Sequence, residues 1–278
     1  MITILFWNVG GSSKALAHLP CLVRTSAIDV FLLAECPDDL KPTINSLNGL
    51  DGTYHESVGS QAKVRAVTRL AAEAFVHRFT SVGREMAVWS LSAPNLAPPE
   101  VLIAGIHLPS KSGGSADADQ ASIAAEVVEE LNEFEDSRHH RNTALVGDFN
   151  MHPYDPGMTS VTGVHAQMTR ALARKRDRIH RHRPRRRFYN PMWGLFGDRT
   201  PGPAASYYWR AAVLHNPYWG MLDQLVLRAS LIDYLQDVRV LDDDGVHPLT
   251  GRGGAPDRRD LSDHLPVLFQ LDLPRSEP

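Results

Sequence analysis

Two periodicities alternate along the chain. Ile2, Ile4 and Phe6 interleave with Thr3, Leu5 and Trp7, and this largely apolar run predicts a buried strand. Gly10-Gly11 ends the run, and Ser12-Ser13 stands where a helix reaching about Thr25 would be capped. Ile28 to Glu35 reads as a second buried strand ending on a carboxylate. Pro37-Asp38-Asp39 then opens a helix to about Leu47, because proline and acids suit a first helical turn. Val64 to Leu70, Ala74 to Thr80 and Met86 to Leu91 are short runs divided by Gly, Ser and Arg, the pattern of antiparallel strands, and Val101 to His107 is another strand.

The clearest helical spacing lies between Asp117 and about Arg138, where Ile123, Val127, Leu131 and Phe134 recur every three or four positions. Thr143 to Val146 is a strand leading into Gly147-Asp148-Phe149-Asn150. Thr162 to Asp177 reads as helix, and Phe188 to Tyr218, rich in aromatics, Pro and Gly, as an ordered irregular stretch. Leu222 to Leu227, about Asp237 to Leu241, and Val267 to Leu271 are the last strands, with a polar loop from Asp242 to Asp260. Many strands with few helices predict an α/β (α+β) fold of two packed sheets with helices outside, in one domain spanning residues 1–278.

Composition narrows the class. With 43% hydrophobic residues the chain is not disordered throughout, and no run approaches the roughly 18 apolar residues of a membrane span. The N-terminus lacks the basic flank and small-residue cleavage site of a signal peptide, so a cytoplasmic protein is expected. Cys21 and Cys36 are the only cysteines, which excludes a disulfide scaffold and a zinc site built mainly of thiolates. The net charge of −3 is an average over unlike parts. Ten Lys/Arg against Asp177 alone make Arg170–Arg187 a +9 segment, leaving a body with a balance of −12.

The chemistry-bearing residues stand at strand ends: Asn8, Glu35, His107, Asp148 with Asn150, Asp223, and Asp263-His264. Asn8, Glu35 and Asp263 are hard oxygen donors suited to Mg²⁺ or Mn²⁺. Asp148 is placed to orient or deprotonate a water, with Asn150 fixing its geometry. Asp223 would hold His264 in one tautomer and favour its cation, which stabilises charge on an attacked phosphate, and His107 would add a donor.

Trp7-Asn8, Leu33-Ala34-Glu35, Ile106-His107-Leu108, Gly147-Asp148-Phe149-Asn150, Leu222-Asp223-Gln224 and Ser262-Asp263-His264 resemble, in order, the motifs of the endonuclease/exonuclease/phosphatase superfamily, from Trp7 to about Leu271. The resemblance implies a four-layer αββα sandwich of two facing mixed sheets, with the active site at one rim, and Mg²⁺-dependent (or Mn²⁺-dependent) phosphoester hydrolysis. It implies metal-side roles for Asn8, Glu35 and Asp263, and phosphate or proton-transfer roles for His107, Asp148, Asn150, Asp223 and His264. The usual Leu-Gln-Glu element here has Ala34 in place of Gln. Residues at about 165–218, carrying the arginine block and Asn190-Pro-Met-Trp-Gly, form an insertion outside the shared core.

A basic block beside aromatics suits a nucleic-acid backbone with stacked bases. Arg185, Arg186 and Arg187 would neutralise phosphates, and Trp193, with Phe196, Tyr207, Tyr208 or Trp209, would offer a stacking face. The expected activity is that of a metal-dependent nuclease acting on DNA or RNA. Two alternatives are a phosphatase or phosphodiesterase on a phospholipid, inositol phosphate or nucleotide, and a non-catalytic nucleic-acid-binding member of the fold. A partner protein docking through the arginine-rich segment is a further expectation.

Overall fold

The strands numbered along the chain are β1 (Ile2–Asn8), β2 (Val30–Ala34), β3 (His55–Glu56), β4 (Val64–Thr68), β5 (Phe75–Thr80), β6 (Met86–Ser92), β7 (Glu100–His107), β8 (Thr143–Asp148) and β9 (Ala166–Gln167). They continue as β10 (Arg178–His180), β11 (Arg183–Arg185), β12 (Phe188–Tyr189), β13 (Tyr207–Tyr208), β14 (Trp219–Gly220), β15 (Asp223–Leu227), β16 (Leu235–Val240) and β17 (Val267–Leu271). The helices are α1 (Ser13–Leu16), α2 (Leu19–Ser26), α3 (Lys41–Asn48), α4 (Asp117–Ser137), α5 (Pro156–Thr159) and α6 (Arg170–Ala173). The structure, a computed structural model, describes residues 1–49, 53–57, 62–93, 96–110, 117–210 and 218–274.

Two mixed sheets face each other, one in the order β16-β17-β1-β2-β4-β3 and the other β5-β6-β7-β8-β15-β12-β9. Side-chain alternation distributes the second sheet between two cores. Ala87, Trp89, Val101, Ile103, Ala144, Val146, Leu225 and Leu227 point inward and pack with Ile4, Phe6, Leu32, Val64, Val267 and Phe269 of the first sheet. Their neighbours Met86, Val88, Leu102, Ala104, Ile106, Leu145 and Val226 point outward onto Ala124, Val127, Val128 and Leu131 of α4. On the far side of the first sheet Ala15, Leu16, Leu19, Leu22 and Leu47 of α1–α3 join its core. Helix, sheet, sheet and helix therefore stack as the four expected layers. The sheets approach closely at Gly105, where a Cβ would lie 2.8 Å from Val64 Cγ1.

Several elements differ from their expected form. Ser12 does cap a helix, accepting from Ala15 N, but the helix stops at Leu16. Pro20, which cannot continue an interior turn, sits in the first turn of a second helix, Leu19–Ser26. Similarly the helix after Cys36 begins only at Lys41, with Pro42 in its first turn. Of the helix expected over Thr162–Asp177 only Arg170–Ala173 forms, capped by Thr169. The arginines beyond it make the β10–β11 hairpin. Phe188–Tyr189 pairs with β15 and β9, so part of the stretch read as irregular completes the edge of the second sheet; residues 211–217 of that stretch lie outside the described residues.

Candidate active site at the rim of two sheets

The C-terminal ends of β1, β2, β7 and β8 converge on one rim. In the first sheet β1 and β2 run parallel with Asn8 opposite Ala34, which sets Glu35 one residue past the strand. In the second sheet β7 and β8 run parallel and β15 antiparallel, so that His107, Asp148 and Asp223 lie abreast. Gly147 makes the middle strand possible: its φ is +157° and a Cβ there would stand 1.9 Å from the Ile106 carbonyl oxygen. Glu35 and Asn150 both adopt left-handed backbone, φ 47° and 50°, as the chain turns off the sheets. Such conformations in non-glycine residues are commonly retained where function fixes a side chain.

An amide bridges the sheets. Asn8 Nδ2 donates to Glu35 Oε1 and to Asp148 Oδ2, each at 3.1 Å. Asn8 Oδ1 accepts from Gly10 N at 3.0 Å, which fixes which way the amide faces. Asp148 is buried and takes two further hydrogen bonds from Asn150, backbone N to Oδ1 at 2.8 Å and Nδ2 to Oδ2 at 3.2 Å, while the same Nδ2 also reaches Leu108 O at 2.8 Å. His107 Nε2 lies 3.3 Å from Glu35 Oε1 and 3.8 Å from Asp148 Oδ2.

Opposite them, His264 Nδ1 is 2.8 Å from Asp223 Oδ2, and its Nε2 is 3.8 Å from Asp148 Oδ2. The pair is held by further groups, of which Trp7 and Ser262 lie within the sequence motifs but carried no assigned role. Trp7 Nε1 donates to His264 O at 2.9 Å; Ser262 Oγ donates to Asn8 O at 2.7 Å and accepts from His264 N at 3.1 Å. Ser206 Oγ accepts from Asp223 N at 3.0 Å, and the Tyr207 ring packs 4.7 Å from the His264 ring. Polar residues next to a recognised motif were the available signal for Ser262; nothing in the sequence marked Ser206.

The charges sort themselves by environment. For Glu35 the hydrogen bond from His107 outweighs desolvation and, with Asn8, holds the carboxyl down at about 2. Burial alone would lower the His264 imidazole, but the charges of Asp223 and Asp148 reverse this and lift it to about 10. Desolvation pushes Asp148 above the usual carboxylate range, against the pull of His264. The rim thus joins an ionised carboxylate, a buried carboxyl of raised basicity and an imidazolium.

Glu35 and Asp263 offer oxygen, and Glu35 is half exposed and ionised, which suits a hard dication that retains much of its water. Asn8, expected as a third donor, instead turns its amide nitrogen to Glu35 and its oxygen to Gly10 N. Asp263 flanks the other two across Gly10, where a Cβ would lie 3.8 Å from its Oδ1. Asp148, Asp223 and His264 also place ligating atoms within 4.8 Å of one another, although the Asp223–His264 bond uses two of those atoms.

Aromatic rings line the adjoining surface. His152 stacks on Tyr154 at 5.0 Å, and Tyr154 stands 6.3 Å from both Trp193 and Phe196. Trp193 and Phe196 were expected here; His152 and Tyr154, close behind Asn150 in the chain, were missed. A buried relay fixes the wall: Asn190 Nδ2 donates to Gln224 Oε1 at 2.7 Å, and Gln224 Nε2 to Met151 O at 2.6 Å.

The structure does not bring Arg185, Arg186 and Arg187 to this rim. Arg186 ion-pairs with Glu135 at 2.9 Å and with Asp136, Arg185 with Glu129 at 3.2 Å, and Arg187 bonds to the carbonyls of Lys175 and Arg176. Arg228 N bonds Thr143 O at the start of β8, and its guanidinium shares Glu135 with Arg186. That network lies five residues from Asp148 along the strand, about 17 Å. Arg170, Arg174, Lys175, Arg176, Arg178, Arg181 and Arg183 are the exposed cations of the block.

The chain aligns along nearly its full length with solved structures of low identity. An endonuclease/exonuclease/phosphatase family protein from Leptotrichia buccalis superposes with a TM-score of 0.59 at 10% identity, covering 98% of this chain and 100% of that one. A 3′ phosphatase from Neisseria bound to product DNA hairpin gives 0.54 at 19%, covering 98% and 100%, and an AP endonuclease from Archaeoglobus fulgidus gives 0.56 at 12%, covering 98% and 100%. No protein-family model and no curated protein matches the sequence. The chain has the α/β sandwich fold of the endonuclease/exonuclease/phosphatase superfamily. Among the described residues no helix is long and apolar enough to cross a membrane.

Proposed function

Starting from that fold, we propose that the chain is a metal-dependent phosphodiester hydrolase of the endonuclease/exonuclease/phosphatase superfamily, acting as a nuclease on DNA. The observation that carries the proposal is the Asp223–His264 pair facing Asp148, with Asn8 joining Asp148 to Glu35 across the two sheets.

Mg²⁺ or Mn²⁺ held by Glu35 and Asp263, with Asn8 orienting Glu35, would supply positive charge beside the phosphate. The protein's residues supply the rest. Asp148, oriented by Asn8 and Asn150 and made more basic by burial, takes a proton from the attacking water as its oxygen bonds to phosphorus. His264, kept cationic by Asp223, donates from Nε2 toward the developing charge, and the leaving P–O bond breaks on the far side. His107, with Nε2 between Glu35 and Asp148, positions both carboxylates. Desolvation by the buried surroundings strengthens each of these charge interactions.

DNA is favoured over a small phosphoester by the ring wall beside the site. Tyr154 is 48% exposed and, with Trp193 and Phe196, presents faces on which bases can stack at roughly 1–3 kcal/mol each. The product DNA hairpin on the Neisseria relative supports the same reading. A panel of DNA, RNA, nucleotides and phosphoinositides with Mg²⁺ and Mn²⁺, run beside Asp148→Asn, tests it. Expected is metal-dependent cleavage of DNA that D148N abolishes; intact DNA together with release of phosphate from a small ester would refute the nuclease reading.

A further inference from the structure

Outside that constellation, α2 and the loop after β16 bring together a second set of ligating side chains. His18 precedes the first turn of α2, and Asp244 and His247 belong to the loop. Asp244 Oδ2 is 2.8 Å from His18 Nδ1 and 3.5 Å from His247 Nδ1, and the two imidazoles stand edge to face at 5.9 Å. One ligating atom from each residue lies within 4.8 Å of the other two.

The carboxylate is fully buried and aimed. Its Oδ1 accepts from Val246 N at 2.8 Å and His247 N at 2.6 Å, which leaves Oδ2 for the imidazoles. The loop presenting it is closed by Asp244 N to His247 O at 3.0 Å and Leu249 N to Asp242 O at 2.7 Å. It is packed against α2 so closely that a Cβ on Gly245 would stand 2.0 Å from Thr25 Cγ2, while Thr25 Oγ1 donates to Asp244 O at 3.2 Å. In sequence the donors read His18-Leu-Pro-Cys21 and Asp244-Gly-Val-His247, so Cys21 lies one helical turn from His18. A dication among the three groups would place positive charge directly beside the buried carboxylate.

We propose that His18, Asp244 and His247 bind a divalent transition metal of the zinc class, clamping the 242–250 loop onto α2. Two nitrogens and one oxygen favour Zn²⁺, Co²⁺ or Ni²⁺ over Mg²⁺, whereas the oxygen donors at the catalytic rim have the opposite preference. Bonds of roughly 2.0–2.1 Å in a tetrahedron set ligand atoms about 3.4 Å apart. The Asp244–His247 pair already has that spacing, and the His18–Asp244 pair reaches it by opening about half an ångström. Water, or the Cys21 thiolate after a rotamer change, completes the coordination. The clamp would fix the start of the segment that leads on to Ser262–His264.

The test uses the full chain, stripped with a chelator and titrated with Zn²⁺ against a chromogenic competitor in excess Mg²⁺. One Zn²⁺ per chain is expected, retained in Asp148→Asn and weakened at least about tenfold in His247→Ala and in His18→Ala. His247 is 61% exposed, so its truncation leaves the fold intact. Co²⁺ loading should give a four-coordinate ligand-field spectrum that H247A abolishes. Zn²⁺ binding unchanged by H247A, or lost in D148N instead, would overturn the proposal.

Discussion

Replacing Glu135 with alanine should destabilise the protein severely without touching the catalytic rim. Glu135 has no solvent exposure, and its two oxygens serve three partners: Arg228 Nε at 2.9 Å, Arg186 Nη1 at 2.9 Å and the Thr143 hydroxyl at 2.6 Å. The side chain of Arg228 is 3% exposed and that of Arg186 9%, so neither can turn to water once the carboxylate is gone. The Arg228 guanidinium also lies 3.7 Å from the Phe188 ring centroid, and Nη2 bonds Asn132 Oδ1 at 2.6 Å, which holds it in place. Breaking a buried pair by removing one partner costs about 3–5 kcal/mol, a large part of the roughly 5–15 kcal/mol that holds a domain folded. The corresponding fall in Tm is roughly 10 °C. Urea unfolding followed by circular dichroism measures this, with Glu135→Leu/Arg228→Met as the companion in which the more deeply buried arginine is removed with its partner and Arg186 keeps Asp136. That double variant should recover most of the loss. A loss below about 1 kcal/mol in E135A, or a double variant worse than the single, would refute the argument that the charges are desolvated and mutually dependent. Arg186→Ala belongs to the same logic: its main effect should be on stability, with the salt dependence of DNA binding unchanged, since its guanidinium already serves Glu135 and Asp136.

Four other outcomes are expected. Asp148→Asn and His264→Gln should each lower kcat by at least about 100-fold, measured at saturating metal, while leaving circular dichroism unchanged. Gly147→Ala forces a Cβ to within 1.9 Å of the Ile106 carbonyl, so it should part β7 from β8 and reduce both stability and activity, seen in parallel by unfolding and cleavage assays. His165 is buried and its imidazole is held below the ordinary value by desolvation, so its contribution to stability is complete above about pH 6.5 and is lost as pH falls through the depressed value. His165→Asn, which tolerates the local φ of 56°, should flatten the stability profile below pH 6.5; an unchanged slope would refute the assignment. Trp193→Ala should raise KM for DNA with little effect on a mononucleotide-sized ester.

The convergence of candidate residues at one rim was legible because a strand that turns abruptly from apolar to polar announces its own end. Asn8, Glu35, His107 and Asp148 each follow an unbroken apolar run, and parallel pairing places such ends side by side. What ties them, the Asn8 amide reaching Glu35 and Asp148, depends on two sheets meeting and has no linear signal. The arginine block misled for a related reason. Charge density is visible in a sequence, but its acidic partners Glu129, Glu135 and Asp136 lie some 50 residues earlier on α4, and only the fold brings them under Arg185 and Arg186. The two-residue strands β9 and β12 escaped because so short a pairing has no periodicity. The metal cluster of His18, Asp244 and His247 escaped because its halves are 226 residues apart.

The position of β17 between β16 and β1 has a consequence for synthesis on the ribosome. β1 is made about 260 residues before its antiparallel neighbour β17, and Asp263 and His264 shortly precede that neighbour. Until then the first sheet has a gap in its middle, Trp7 has no His264 carbonyl to bond, and Asp223 has no imidazole to hold. A nascent chain therefore exposes an open β1 edge and has not yet assembled the rim. Closure of the first sheet and completion of the Asp223–His264 pair are one event.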